Sequence, residues 1–192
     1  MSRWLVTGSA GHLGEALVRV LREQGEQVVG LDRLASPTTT VVASLTDSSA
    51  LAAAAVDVDH VLHTATLHKP HVGSHTRAEF VDTNIAGTLT VLEAAAAAGA
   101  ASVVLTSSTS AFGRALTPEP GEPAAWITED VAHRVRNIYG KTKTPAVEHP
   151  PPPQPTLSPP LDGRQPNRRK HTGYRCARVQ STSVNCAADS GN

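Results

Sequence analysis

From residue 3 to residue 108, short apolar runs of strand length alternate with segments of helical periodicity, and no other feature limits the possible folds so strongly. Residues 3–6 (RWLV), 27–32 (QVVGLD), 39–45 (TTVVASL), 59–65 (DHVLHTA) and 102–108 (SVVLTSS) read as strands. They are apolar along most of their length rather than on alternate positions, as expected of strands buried on both faces of a parallel sheet. Between them, residues 12–24 carry Leu13, Ala16, Leu17, Val20 and Leu21 at helical spacing, with Gly25 where the helix ends. Residues 48–56 predict an alanine-rich helix with serines at its N-cap. Residues 77–98 predict a long helix with Phe80, Ile85, Leu89, Leu92 and Ala96 on one side, closed by Gly99. Strand and helix in strict alternation specify an α/β fold, a doubly wound parallel sheet of about five strands with helices on both faces.

The pattern stops at residue 144. Nine of the fourteen prolines fall in the last 48 residues, hydrophobic periodicity vanishes, and PNRRKHTGYR is a small basic cluster in polar surroundings. Such a segment buries too little apolar surface to offset its ordering entropy. The expectation is a folded domain over 1–144 and a disordered, proline-rich tail over 145–192 that forms no domain. The tail reads either as a frame-shifted translation of GC-rich coding DNA or as a genuine extension. Both cysteines, Cys176 and Cys186, lie in it, and their spacing fits neither a disulfide framework nor a zinc site. Seventeen basic and seventeen acidic residues give zero net charge, which points to neither nucleic acid nor membrane as a partner. There is no signal-peptide pattern and no apolar run of membrane-spanning length, so a cytoplasmic location is expected.

The first strand runs into TGSAGHLG, Thr7 to Gly14, and then directly into the first helix. Gly8, Gly11 and Gly14 allow a tight turn, close approach of the backbone to a pyrophosphate, and close packing of helix on strand; the helix N-terminus faces the negative charge. An ordinary glycine turn is the bland alternative, but the strand–loop–helix context and Asp32 at the end of the second strand favour a dinucleotide site. A carboxylate there accepts hydrogen bonds from the adenosine ribose hydroxyls and repels a 2'-phosphate, favouring NAD over NADP. Arg33 is the complication, because it could pair with that phosphate. His60, His63, His68, His71 and His75 are closely spaced, but His60 and His63 point to opposite faces of one strand and the others lie in a loop, so no metal is expected. His68, Lys69 and His71 are placed to line a cleft beyond the strand's carboxyl end.

The order of these motifs resembles the extended short-chain dehydrogenase/reductases, the NAD-dependent epimerase/dehydratase family. TGSAGHLG resembles its T-G-x-x-G-x-x-G loop, and Asp32 its ribose carboxylate. HTAT (63–66) resembles H-x-A-A, with Thr66 replacing the second alanine. Asn84, Gly87 and Thr88 sit as in its N-x-x-G-T helix, and SSTSAFG followed by YGKTK resembles its Ser/Thr plus Y-x-x-x-K set. The likeness covers residues 3–144.

The resemblance implies a Rossmann-like domain of an oxidoreductase or isomerase. Tyr139 would be the acid/base that exchanges a proton with a substrate hydroxyl while hydride moves to or from the nicotinamide. Lys143 would bind the nicotinamide ribose and favour the tyrosine's phenolate, and Ser108 would hydrogen-bond the substrate hydroxyl. Gly8, Gly11, His12, Leu13, Gly14, Asp32, Arg33, Thr64, Ala65 and Thr106 would contact the dinucleotide together with Tyr139 and Lys143. The substrate would be a small molecule, a sugar nucleotide or similar hydroxyl compound. Phe112 stands where the family usually has another tyrosine. Asn84 reads as structural. In the family the Tyr/Lys helix runs on and a further strand and a substrate lobe follow; here Pro145 and Pro150–Pro153 oppose that, so this helix is expected to hold about two turns, with strand five an exposed edge and the lobe absent. A non-catalytic NAD-binding module and an inactive product are the rival expectations.

Overall fold

The computed structural model describes residues 1–123, 126, 128 and 131–144; the expectations for the tail, its basic cluster and its cysteines lie outside these residues. Five parallel strands form one sheet: β1 (Arg3–Thr7), β2 (Gln27–Asp32), β3 (Val41–Val42), β4 (His60–His63) and β5 (Ser102–Leu105), in the order β3-β2-β1-β4-β5. This is a Rossmann-like sheet, and the order reverses at β1, between its β2 and β4 neighbours. In sheets of this kind ligands bind outside the carboxyl ends of the strands at that switch point.

Alternate residues of the central strands serve opposite faces. Leu5, Leu31 and Val61 are fully enclosed and pack with Leu51 and Ala54 of α2 (Ser48–Ala54) and with Val91, Ala94 and Ala95 of α4 (Gly87–Ala97). On the other face, Val6 packs with Val18 and Leu21 of α1 (His12–Glu23), flanked by Trp4, Val28 and Leu62. Truncating a buried aliphatic residue in such a layer costs about 2–5 kcal/mol. These two clusters are built almost entirely from aliphatic side chains, with Trp4 at the margin as their one aromatic ring.

Several elements depart from the sequence expectations. Strand β3 is only two residues, because the preceding hydroxyls bond elsewhere: Thr40 Oγ1 accepts from Gly30 N, and Thr38 Oγ1 donates to the Ser9 carbonyl. Strand β4 covers only His60–His63, since Thr64 turns its hydroxyl back to the Thr7 carbonyl. Strand β5 ends at Leu105; after the Thr106 amide bonds the His63 carbonyl, the chain turns into a 3-10 segment at Thr109–Ala111. The N-cap of α2 is Asp47, whose carboxylate accepts from the Ala50 amide at 3.0 Å and from Ser49 Oγ, so the serines lie inside the first turn. A carboxylate is favoured there over a hydroxyl by the helix dipole.

The long helix over 77–98 is present, but in three parts: α3 (Arg77–Val81), a π turn at Asp82–Ala86, and α4. Its buried side agrees with the expected one at Phe80 but departs from it at Leu89. Phe80, Asn84, Gly87, Thr88 and Val91 are enclosed, whereas Leu89 is 53% exposed. At Gly87 a side chain would collide with Leu45, 2.6 Å from its Cβ, so the small and polar residues are the ones that fit inward.

Candidate functional site

The loop after β1 is a cradle with no room for side chains. Gly8 has φ +78°, a left-handed conformation that disfavours other residues, and a Cβ there would lie 2.6 Å from the Ala65 amide nitrogen and 2.7 Å from Thr64 Oγ1. The loop is closed by Gly8 N to the Leu31 carbonyl (2.8 Å) and Gly11 N to the Gly8 carbonyl (3.0 Å). Helix α1 then starts at His12 with Gly11 at its N-cap and no side-chain cap. The first amides of a helix have no partner within it, so those of His12, Leu13 and Gly14 suit an anion.

Asp32 joins this cradle to the end of β2. Its Oδ2 accepts from the Ala10 amide and its Oδ1 from the Leu34 amide, both at 3.0 Å. The carboxylate is thereby fixed in orientation, with lone pairs left for a diol. The adjacent Arg33 is exposed, and its charge acts on Glu79. A second clamp was not foreseen from sequence: Ser9 Oγ meets Thr39 Oγ1 at 3.0 Å and Thr38 Oγ1 donates to the Ser9 carbonyl at 2.7 Å, pinning the loop after β2 onto the glycine loop. A bare glycine loop, an open helix end and an oriented carboxylate fit a dinucleotide's pyrophosphate and ribose.

The second half of the site is built by α5 (Ile138–Lys143), capped by Asn137 Oδ1 on the Gly140 amide at 3.0 Å. It is six residues long, close to the expected two turns. Tyr139 is buried and packs with Leu67, Phe80 and Ile138. Lys143 is also buried, and its Nζ donates to the Thr106 carbonyl at 2.9 Å. Burial lowers its pKa from the usual lysine range to about 8. Thr106 thus meets Lys143 through its backbone. Thr64 and Ala65 lie against Gly8, joining the two halves. Ser108 caps the 3-10 turn, its Oγ accepting from the Ser110 amide at 3.2 Å; that turn packs on α5, where a Cβ at Gly140 would overlap the Ser110 carbonyl oxygen.

Two buried polar centres support this arrangement. His63 bridges β1, β4 and α4. Thr88 Oγ1 donates to the Asn84 carbonyl at 2.8 Å, so it accepts from His63 Nε2–H at 2.9 Å; His63 Nδ1 in turn accepts from Thr7 Oγ1 at 2.6 Å. Burial, with the Lys143 charge adding to it, lowers the His63 pKa to about 3. Asn84 satisfies its whole amide. Oδ1 accepts from the Leu67 amide and Thr66 Oγ1, while Nδ2 donates to the Leu67 carbonyl and to Thr142 Oγ1. These partners lie in the loop after β4 and on α5, outside its own helix. Thr142 and Gly140 were missed; a glycine inside a helix, normally costly, is the sequence signal that could have flagged tight packing at 140. His68, His71 and His75 stack edge to face in the loop after β4, with ring centroids 4.5 and 5.1 Å apart.

A family profile described as the NAD-dependent epimerase/dehydratase family matches residues 4–149. A 3-beta-hydroxysteroid dehydrogenase of Mycolicibacterium neoaurum is 33% identical over 120 residues, which are 57% of this chain and 33% of that protein. Among solved structures, a short-chain dehydrogenase/reductase superfamily protein from Agrobacterium tumefaciens with bound NAD superposes with TM-score 0.63 at 35% identity, over 74% of this chain and 42% of the other. A UDP-glucose 4-epimerase from Stenotrophomonas maltophila, with bound NAD and a formylated UDP-arabinopyranose, gives TM-score 0.64 at 26% identity, over 77% and 47%. The chain spans about a third of the length of the first relative and less than half of either structure.

Proposed function

The chain belongs to the NAD-dependent epimerase/dehydratase family, and from that premise we propose that residues 1–144 are the NAD-binding half of an oxidoreductase in which Tyr139 is the acid/base. The observation that carries the reading is the pairing of Tyr139 and Lys143 on one short buried helix whose lysine reaches across to β5's exit at Thr106. When bound, NAD supplies the carbon that accepts or returns a hydride. Gly8, Gly11, His12, Leu13 and Gly14 bind its pyrophosphate, Asp32 the adenosine ribose, and Thr64, Ala65 and Thr106 line the way to the nicotinamide end. Lys143 holds the nicotinamide ribose and favours loss of the Tyr139 proton, and Ser108 orients the substrate hydroxyl that exchanges a proton with Tyr139.

A hydroxyl of a sugar nucleotide is the favoured substrate, supported by the epimerase neighbour bound to a UDP-sugar. A 3β-hydroxysteroid is the second reading, supported by the curated relative of that name. Calorimetry on the full chain tests the cofactor. NAD should bind more tightly than NADP, and Asp32→Ala should narrow the gap, because the carboxylate is what repels a 2'-phosphate. Preference of the unmodified chain for NADP would overturn the assignment. Saturation-transfer NMR in the presence of NAD, with UDP-glucose and a 3β-hydroxysteroid offered separately, decides between the two substrates.

A further inference from the structure

We propose that Thr142 is a positioning residue for Tyr139 and Lys143, acting as the hydroxyl bolt that holds α5 against the π turn and the loop leaving β4. The proposal rests on the functional reading of those two residues. A six-residue helix has no intrinsic stability, so its position must come from tertiary ties. Thr142 is 1% exposed, more enclosed than either Tyr139 or Lys143. Its hydroxyl has one proton, which it donates to the Tyr139 carbonyl at 3.0 Å, and a lone pair, which accepts from Asn84 Nδ2 at 2.9 Å.

The tie is specific because Asn84 has no freedom to turn away. Its Oδ1 is occupied by the Leu67 amide (2.8 Å) and Thr66 Oγ1 (3.0 Å), and its other amide hydrogen by the Leu67 carbonyl (2.8 Å). Thr142 therefore receives the last free hydrogen of an amide already fixed to the segment that packs against Tyr139 through Leu67. Thr142 is linked to both functional residues: its donor bond ends on the tyrosine's own carbonyl, and the lysine follows it in the chain. Without the hydroxyl, an Asn84 N–H is left buried and unpaired, and α5 loses the contact that sets its register.

The test uses the full chain with isotope-labelled lysine. In the unmodified protein the Lys143 signal should titrate with a midpoint of about 8. Thr142→Val keeps the shape and removes the hydroxyl; the midpoint should rise by at least about one pH unit as the ammonium gains solvent, and NAD binding should weaken about 3–10-fold. Thr142→Ser should restore both. A Thr142→Val protein that melts cooperatively and keeps the original midpoint would overturn the proposal, as would a serine variant that behaves like valine. If the valine variant does not fold, Thr142→Cys is titrated instead, with a raised midpoint expected and an unchanged one counting against the idea. Failure of the unmodified chain to bind NAD would sink the proposed function, while the lysine titration still reports on Thr142.

Discussion

His63 and Lys143 are buried titratable groups placed near each other, and both are biased toward the neutral form. For His63 the folded pKa of about 3 lies below the unfolded value of 6.5. Between these limits the unfolded chain binds the extra proton, so this contribution is complete above pH 6.5 and is lost as pH falls toward 3. One proton corresponds to a slope of about 1.4 kcal/mol per pH unit. Urea unfolding across that range should show falling stability, and His63→Gln, which cannot take the proton, should flatten the slope; an equal slope in the variant would refute the assignment. Lys143 works at the other end. Its folded value of about 8 is below the ordinary 10.5, so the cost of burying its charge is felt in full below pH 8 and fades as pH rises through that interval. Sequence could mark His63 as part of a motif, but not its neutrality, which comes from burial between β1, β4 and α4, with the Lys143 charge adding to it.

The elements were legible where their signals are local and obscured where packing decides. Strand positions followed from apolar runs, and α1 from its periodicity. The face of α3–α4 did not, because weighting by side-chain size selects Leu89, while the space beside Leu45 admits only Gly87. The β2–β3 hydroxyls resemble strand in composition yet serve as clamps. Helix α2 supplies a prediction at this scale. Asp47 is its single side-chain cap on the first turn, and its carboxyl pKa is lowered by the Ala50 amide and the Ser49 hydroxyl. Asp47→Ala should therefore lower stability through loss of the cap, measured by denaturant unfolding at neutral pH; Asp47→Ser should recover most of it. No loss in the alanine variant would mean the cap is frayed in solution. The candidate site was legible at its glycines, Asp32, Tyr139 and Lys143, all carried by spaced motifs. Thr142 and Gly140 were not, since their importance lies in what approaches them from residues 84 and 110.

At the scale of the whole molecule, the cradle is tied to β2 and to Thr64 and Ala65, while α5 is tied to the exit of β5 at Thr106, so a ligand spanning them adds a tie that the bare chain lacks. NAD at about 100 times its dissociation constant should stabilise the folded form by about 2.7 kcal/mol, raising the melting temperature by roughly 5–11 °C for a chain of this size. An unchanged melt with saturating NAD would contradict a site that bridges both halves. Strand β5 ends the sheet among the described residues, and its Val104 is 46% exposed. The strand order has one more consequence, for the time at which the fold is made. Strand β1 is central, and its first partner follows soon: Arg3 pairs with Gln27. Its other partner is distant, Trp4 pairing with His60. At a synthesis rate of about 5–20 residues per second, β1 leaves the ribosome roughly 3–11 s before the strand that covers its second edge. During that interval Thr64 and Ala65, which press against the glycine loop, have not yet been made, so the loop cannot reach its full packing until β4 follows, and the edge of β1 that waits for a partner is the one that ends up in the middle of the sheet.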